Sequence, residues 1–171
     1  MKALRKVYVK PALPLRKAKN TSLQDYKIVK LLGQGGFGQV HLVKALKENK
    51  QLMALKKILL CFGNNQPHMT EQKRLRVMRE TQIMETMRHP HIVNMHAHFI
   101  DAEIIETVNE ETGEVKTQEK WYLCIVMEHA SKGDLLHLIE RHKENRNPIS
   151  EKDIWMVSSQ IALGLQYLHA N

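Results

Sequence analysis

Three groups of residues have types and spacings suited to holding a phosphorylated ligand. Gly33-Gln34-Gly35-Gly36-Phe37-Gly38 is a GxGxxG run. Glycines carry no Cβ, so their backbone N–H groups can come close to phosphate oxygens. The same pattern occurs in dinucleotide-binding folds, but there a helix follows the glycines and an acid lies about 20 residues on. Here the following residues, Gln39-Val40-His41-Leu42-Val43, are strand-like. The glycines therefore read as the tip of a hairpin laid over phosphates. The second group is Met53-Ala54-Leu55-Lys56. Strand alternation puts Lys56 on the same side as Ala54, and an inward lysine needs an anion, either a phosphate or a carboxylate. Lys57 points to the opposite face and reads as solvated. The third is Glu80, set within an apolar helical stripe of Val77, Met84 and Met87. An unpaired buried carboxylate is costly, and Lys56 is its natural partner.

The elements that must position these groups follow from periodicity. Tyr26 to Leu32, Val40 to Val43 and Gln51 to Leu60 are short apolar runs joined by tight connections, which predicts an antiparallel meander. Glu71 to Arg88 reads as a helix, ended at His89-Pro90 because a residue before proline is pushed out of the helical region. Ile92 to Met95 and Trp121 to Met127 read as two further strands. The acidic stretch Asn109 to Glu114 reads as an elongated hairpin tip. Asp134 to about Lys143 predicts a helix. A last helix starts at Ser150, with Asp153 at the capping-box position and Ile149 and Ile154 spaced for a hydrophobic staple. Its stripe is Ile154, Val157, Ile161, Leu165 and Leu168.

Composition bounds the function classes. A chain of 171 residues with 43% hydrophobic and 26% charged residues has the apolar content to build a core, which argues against disorder. No apolar run approaches the roughly 18 residues of a membrane span, so no membrane role is expected. The two cysteines, Cys61 and Cys124, form no CxxC pair, which points to a reducing, intracellular setting, cytoplasmic or nuclear. Net charge is +8, but seven Lys and Arg with no acid fall in residues 1–20, and the remainder is near neutral. That arm reads as a solvated basic tail, with docking to an anionic surface as the alternative. With aromatics at 5%, nucleic-acid binding is not expected as a primary function. His89, His91, His96 and His98 crowd together, but no Cys or acid completes a ligand set, so no metal site is expected.

Taken in order, the glycine run with trailing Val40, the Ala54-Leu55-Lys56 strand and the helix glutamate Glu80 resemble the protein kinase family. Arg88-His89-Pro90-His91-Ile92-Val93 is similar to that family's link from helix to strand. Leu123 to Ala130 is similar to its hinge, and Gly133-Asp134-Leu135 to the start of its first large-lobe helix. The resemblance covers residues 26–171. Within the family, Trp155, Ile139 to Lys143 and the run Gly133 to Leu168 resemble the NIMA-related (NEK) serine/threonine kinases.

The resemblance implies an α+β fold: a kinase small lobe of five antiparallel strands and one helix, then the first two large-lobe helices. It divides the chain into a basic arm (1–20), the small lobe (21–127) and the hinge with two helices (128–171). It also implies that Gly33, Gln34, Gly35, Gly36, Phe37 and Gly38 cover the phosphates of ATP, that Leu32 belongs to the same ATP-binding set, and that Val40 and Ala54 flank adenine. Lys56 would hold the α and β phosphates, positioned by Glu80. Met127 would be the gatekeeper, Glu128 and Ala130 would offer backbone bonds to adenine, and Asp134 would reach the ribose. The family's magnesium ligands and hydroxyl-orienting aspartate lie past the last residue here. The chain is therefore expected to be inactive alone, as part of a kinase acting on a protein substrate. The alternative is a non-catalytic nucleotide-binding or decoy module, with a protein partner covering the last helix.

Overall fold

A computed structural model describes residues 21–36, 38–47, 51–63, 68–108 and 115–171. Phe37, the basic arm 1–20 and the acidic tip 109–114 lie outside the described residues. The ordered elements are β1 (Tyr26–Gly35), β2 (Gly38–Ala45), β3 (Leu52–Phe62), α1 (Glu71–Thr86), β4 (Met95–Val108), β5 (Val115–Glu128), α2 (Leu135–Glu144) and α3 (Glu151–Ala170). They form two compact units. One takes the residues up to Thr86 together with Met95–Glu128; the other takes Met87–Asn94 and His129–Asn171.

The first unit is a five-stranded antiparallel sheet in the order β1-β2-β3-β5-β4, with α1 packed on one face. The meander and the α+β class are as the sequence implies. Alternation divides the apolar residues between two cores. Val43, Leu55, Phe99, Cys124 and Val126 gather on one face with Leu23, which arrives from a 3-10 turn at Leu23–Asp25. Tyr26 stacks on Phe99 there, with ring centroids 6.2 Å apart. Ile58, Met95, Leu123 and Ile125 gather on the other face against Val77 of α1. Thr81 shares the buried side of α1, and its Oγ1 donates to the Val77 carbonyl at 2.9 Å, which satisfies the hydroxyl inside the core. One expectation is corrected. Ile92 to Asn94 are not strand, and β4 starts only at Met95. It then runs fourteen residues, so the β4–β5 hairpin is far longer than the apolar runs alone indicate.

In the second unit, Asp134 caps α2, its Oδ1 accepting from the His137 N–H at 2.9 Å. Ser150 caps α3 by accepting from the Asp153 N–H at 3.1 Å, and its hydroxyl donates to the Asp153 carboxylate at 2.6 Å. Gly164 of α3 lets the 87–94 segment lie close, because a Cβ there would meet the His91 carbonyl oxygen at 3.3 Å. The Arg88 N–H donates to the Tyr167 hydroxyl at 3.3 Å, and His89 stacks on the Tyr167 ring. Two of the four crowded histidines, His89 and His91, thus belong to this packing.

Candidate functional site

The sheet register brings four of the implied site residues onto one face. Gly33 stands opposite Val40, Val40 opposite Lys56, and Lys56 opposite Ile125. In the next row Leu42, Ala54, Met127 and Met95 are successive neighbours. Alternate residues share a side. Val40, Ala54, Lys56 and Met127 therefore project to the face on which α1 packs. Ala54 is buried, Val40 and Met127 are half-buried, and Met127 packs against the α1 core. Leu32 is exposed at a register shift in β1. Gln34 and Gln39 bridge the turn through an amide–amide bond of 3.2 Å.

Of the glycines at the turn, Gly33, Gly35 and Gly36 have open space where a Cβ would stand, whereas Gly38 does not. Its φ is +125°, and a Cβ would sit 2.0 Å from the Lys57 carbonyl oxygen. Only a residue without a side chain lets β2 start so close to β3. Gly38→Ala should therefore cost on the order of 1–3 kcal/mol through strain, while Gly36→Ala should leave the fold nearly unchanged. Urea midpoints of the two variants check this, and equal midpoints would contradict the close approach.

Lys56 Nζ lies 3.8 Å from Glu80 Oε1. The Lys56 side chain is 24% exposed and that of Glu80 52%. The expected pair is present, but Glu80 is not the buried carboxylate that the helical stripe predicts. Thr81 takes the inward position and Glu80 stands at the stripe's wet margin, so the contact is long and hydrated. The expectation for Lys57 is also overturned. Lys57 is 5% exposed, its Nζ lies 2.6 Å from Glu103 Oε1, and it sits over the Tyr122 ring at 4.2 Å. Burial, with Glu103 adding to it, pushes the Tyr122 phenol up to about 12. The sequence did carry a signal for this pair. Phe99, Asp101 and Glu103 alternate along β4, so an inward Phe99 puts both acids on the inner face.

A cavity of about 260 Å³ opens under the glycine turn, lined in part by Gly35, Gly36, Lys57, Lys73, Val77 and Tyr122. It includes none of Val40, Ala54 or Lys56, although Ile58 and Val77, which also line it, belong to the core on the face they share. Glu128 ends β5 as an exposed residue opposite Met53. Ala130 and Asp134 are exposed in the other unit, where Asp134 is engaged with His137 through both the cap and a 2.7 Å contact to Nδ1. The His137 N–H holds the Asp134 carboxyl below the usual range, and Asp134 in turn raises His137. Among the described residues no group of three His, Cys, Asp or Glu side chains could hold a metal ion.

A glycine turn, a strand lysine paired with a helix carboxylate and an apolar row beside them now stand on one sheet. The family model described as protein kinase domain matches residues 26–171. The chain belongs to the protein kinase family. It is 31% identical over 147 residues to the probable serine/threonine-protein kinase nek2 of Dictyostelium discoideum, covering 86% of this chain and 30% of that protein. It is 29% identical to the G2-specific protein kinase fin1 of Schizosaccharomyces pombe, over 86% of this chain and 17% of that protein. It is 30% identical to the serine/threonine-protein kinase Nek11 of Mus musculus, over 84% and 19%. The chain thus spans less than a third of the length of these relatives. The five-stranded sheet with its single helix is the family's small lobe, and the NIMA-related resemblance stands among serine/threonine kinases.

Proposed function

We propose that this chain is the ATP-binding part of a protein serine/threonine kinase, which in a complete domain moves the γ-phosphate of ATP to a protein hydroxyl. The observation that carries this reading is the shared face of Val40, Ala54, Lys56 and Met127, with Lys56 Nζ 3.8 Å from Glu80. An apolar row beside one cation suits a flat base joined to a phosphate chain. Gly33 to Gly38 would direct backbone N–H groups at the phosphates. Lys56 would neutralise them, and Glu80 would limit where the lysine head can swing. Val40 and Ala54 would contact the base and Met127 would bound its depth. Glu128 and Ala130 would offer backbone groups, and Asp134 a carboxylate toward the sugar.

Magnesium is part of the family's chemistry, but the described residues supply no ligand set for it. Nor do Val40, Ala54, Lys56 or Met127 carry a carboxylate that could orient an attacking hydroxyl. Residues 1–171 by themselves should therefore bind a fluorescent ATP analogue weakly but saturably. They should transfer no labelled phosphate to a generic protein substrate. Absence of saturable binding would overturn the reading, and turnover by a monodisperse preparation would overturn the inactivity of this polypeptide.

A second reading has its own observation. Ile154, Ile161, Leu165 and Leu168 of α3 are 40–53% exposed, and Trp155 is 67% exposed. An apolar face of that extent suits contact with another protein surface, in keeping with a non-catalytic interaction module.

A further inference from the structure

We propose that the end of α2 and the turn after it form a docking groove for an acidic segment of a partner protein, with an aliphatic side chain beside its carboxylates. A groove of about 340 Å³ lies there, wholly within the second unit. Ile139, Pro148 and Ile149 give it apolar walls, and His142, Lys143 and Arg146 add basic groups. Among the described residues no Asp or Glu lines it. Glu140 and Glu144 each follow a lining residue of α2 by one position, so they turn about 100° away around the helix. Lys143 and Arg146 are exposed, and among the described residues neither is held in an ion pair. The charge of the groove is therefore not met by the groove's own walls, and it selects an anion.

Arg146 carries a second observation. Its φ is +49°, the one positive φ outside glycine among the described residues. Its N–H donates to the Lys143 carbonyl at 3.1 Å, and the Asn147 N–H donates to the His142 carbonyl at 3.0 Å. Helices commonly end in this double closure, and its left-handed position usually holds glycine. An arginine there sets a Cβ against the following carbonyl, so the turn itself is better served by glycine. Nor does the end of α2 need the charge, because Arg141, His142 and Lys143 already face its carbonyls in the last turn. The guanidinium thus has its use outside the fold. The turn is also fixed from the other side, where His142 Nδ1 donates to the Asn147 carbonyl at 2.8 Å. A groove formed in advance lowers the ordering cost of binding. Arg146 offers a fork of N–H groups to one carboxylate and Lys143 a point charge to another. A bare inorganic anion would leave Ile139 and Ile149 wet, so the occupant that uses the whole groove joins carboxylates to an aliphatic side chain.

A peptide array probed with the full chain tests this. Its members place a pair of Glu at graded spacings from a Leu, each beside one control with Gln for Glu and one with Ser for Leu. Acidic members should be retained over both controls at roughly 0.1 M salt and released at about 1 M, as the Debye length falls from ~10 Å to ~3 Å. Fluorescence anisotropy of the best-retained peptide then reads affinity in variants. Arg146→Gly relieves the left-handed strain, so its urea midpoint should hold or rise while affinity falls several-fold. Ile139→Gln should also weaken binding several-fold. Arg141→Gln makes the same change of net charge outside the groove and should bind as the wild type does. Failure of every acidic member to exceed its Gln control would overturn the proposal, as would equal affinity in Arg146→Gly and Arg141→Gln. Binding that survives in Lys143→Gln/Arg146→Gly would assign the peptide to the basic arm and overturn it too. Self-association that grows with protein concentration and is lost in Arg146→Gly would give the groove to a second copy in place of an acidic partner.

Discussion

Glu103→Ala is expected to destabilise the chain by roughly 3–5 kcal/mol, because it strands the Lys57 ammonium in the interior. The two groups meet at 2.6 Å with side chains 5% and 4% exposed, so neither has bulk water to fall back on. The Tyr122 ring face beneath Lys57 adds attraction for the cation but cannot replace a carboxylate. Against a domain stability of about 5–15 kcal/mol, the loss removes a large fraction of the folded state's margin. The pair as a whole is worth much less than either half. Lys57→Met with Glu103→Leu substitutes apolar groups of similar length for both charges, and its urea midpoint should fall near or above that of the wild type. The expected pattern is a large single-variant loss and a small double-variant change. A loss below about 0.5 kcal/mol in Glu103→Ala would mean that water reaches the pair, in line with a surface ion pair.

That pair also marks the limit of what the sequence discloses. The glycine turn, the Lys56 strand, the α1 helix, the start of α2 near Asp134 and the cap at Ser150 are legible because each rests on neighbours within a few residues. The relation between Lys57 and Glu103 spans the sheet and depends on β5 lying between β3 and β4, an order that no local pattern fixes. Extending β4 through Asp101 would have exposed it, but two acids in a row of alternating positions look like surface until the strand is known. Glu80 stands away from its expected inward position for a related reason. Thr81 counts as polar in a periodicity reading, yet its hydroxyl is satisfied by the Val77 carbonyl and it buries well. Once Thr81 is accepted as inward, Val77, Thr81 and Met84 form the stripe and Glu80 moves to its margin, where a long contact to Lys56 is possible.

The margin position governs the second large effect. Lys56→Met should leave the fold intact and weaken nucleotide binding roughly 10- to 100-fold. The loss expected for a charge-assisted contact to phosphate is about 1.5–3 kcal/mol, and each 1.4 kcal/mol is tenfold in Kd. Folding tolerates the change because Lys56 is partly hydrated and its partner Glu80 is half exposed, so the carboxylate left behind turns to water. Lys57 should give the opposite result. Lys57→Met strands Glu103 and should lower the urea midpoint sharply. The fold-rescued pair Lys57→Met/Glu103→Leu should bind the fluorescent ATP analogue within about twofold of wild type. The two adjacent lysines thereby separate function from stability along a single strand, since alternation sends one to the α1 face and the other into the opposite core. Isothermal titration with denaturation curves on the same preparations reads both quantities. If Lys56→Met keeps wild-type affinity while the rescued Lys57 variant loses it, the phosphate site belongs to the 260 Å³ cavity beside Lys57 rather than to the face of Val40 and Ala54.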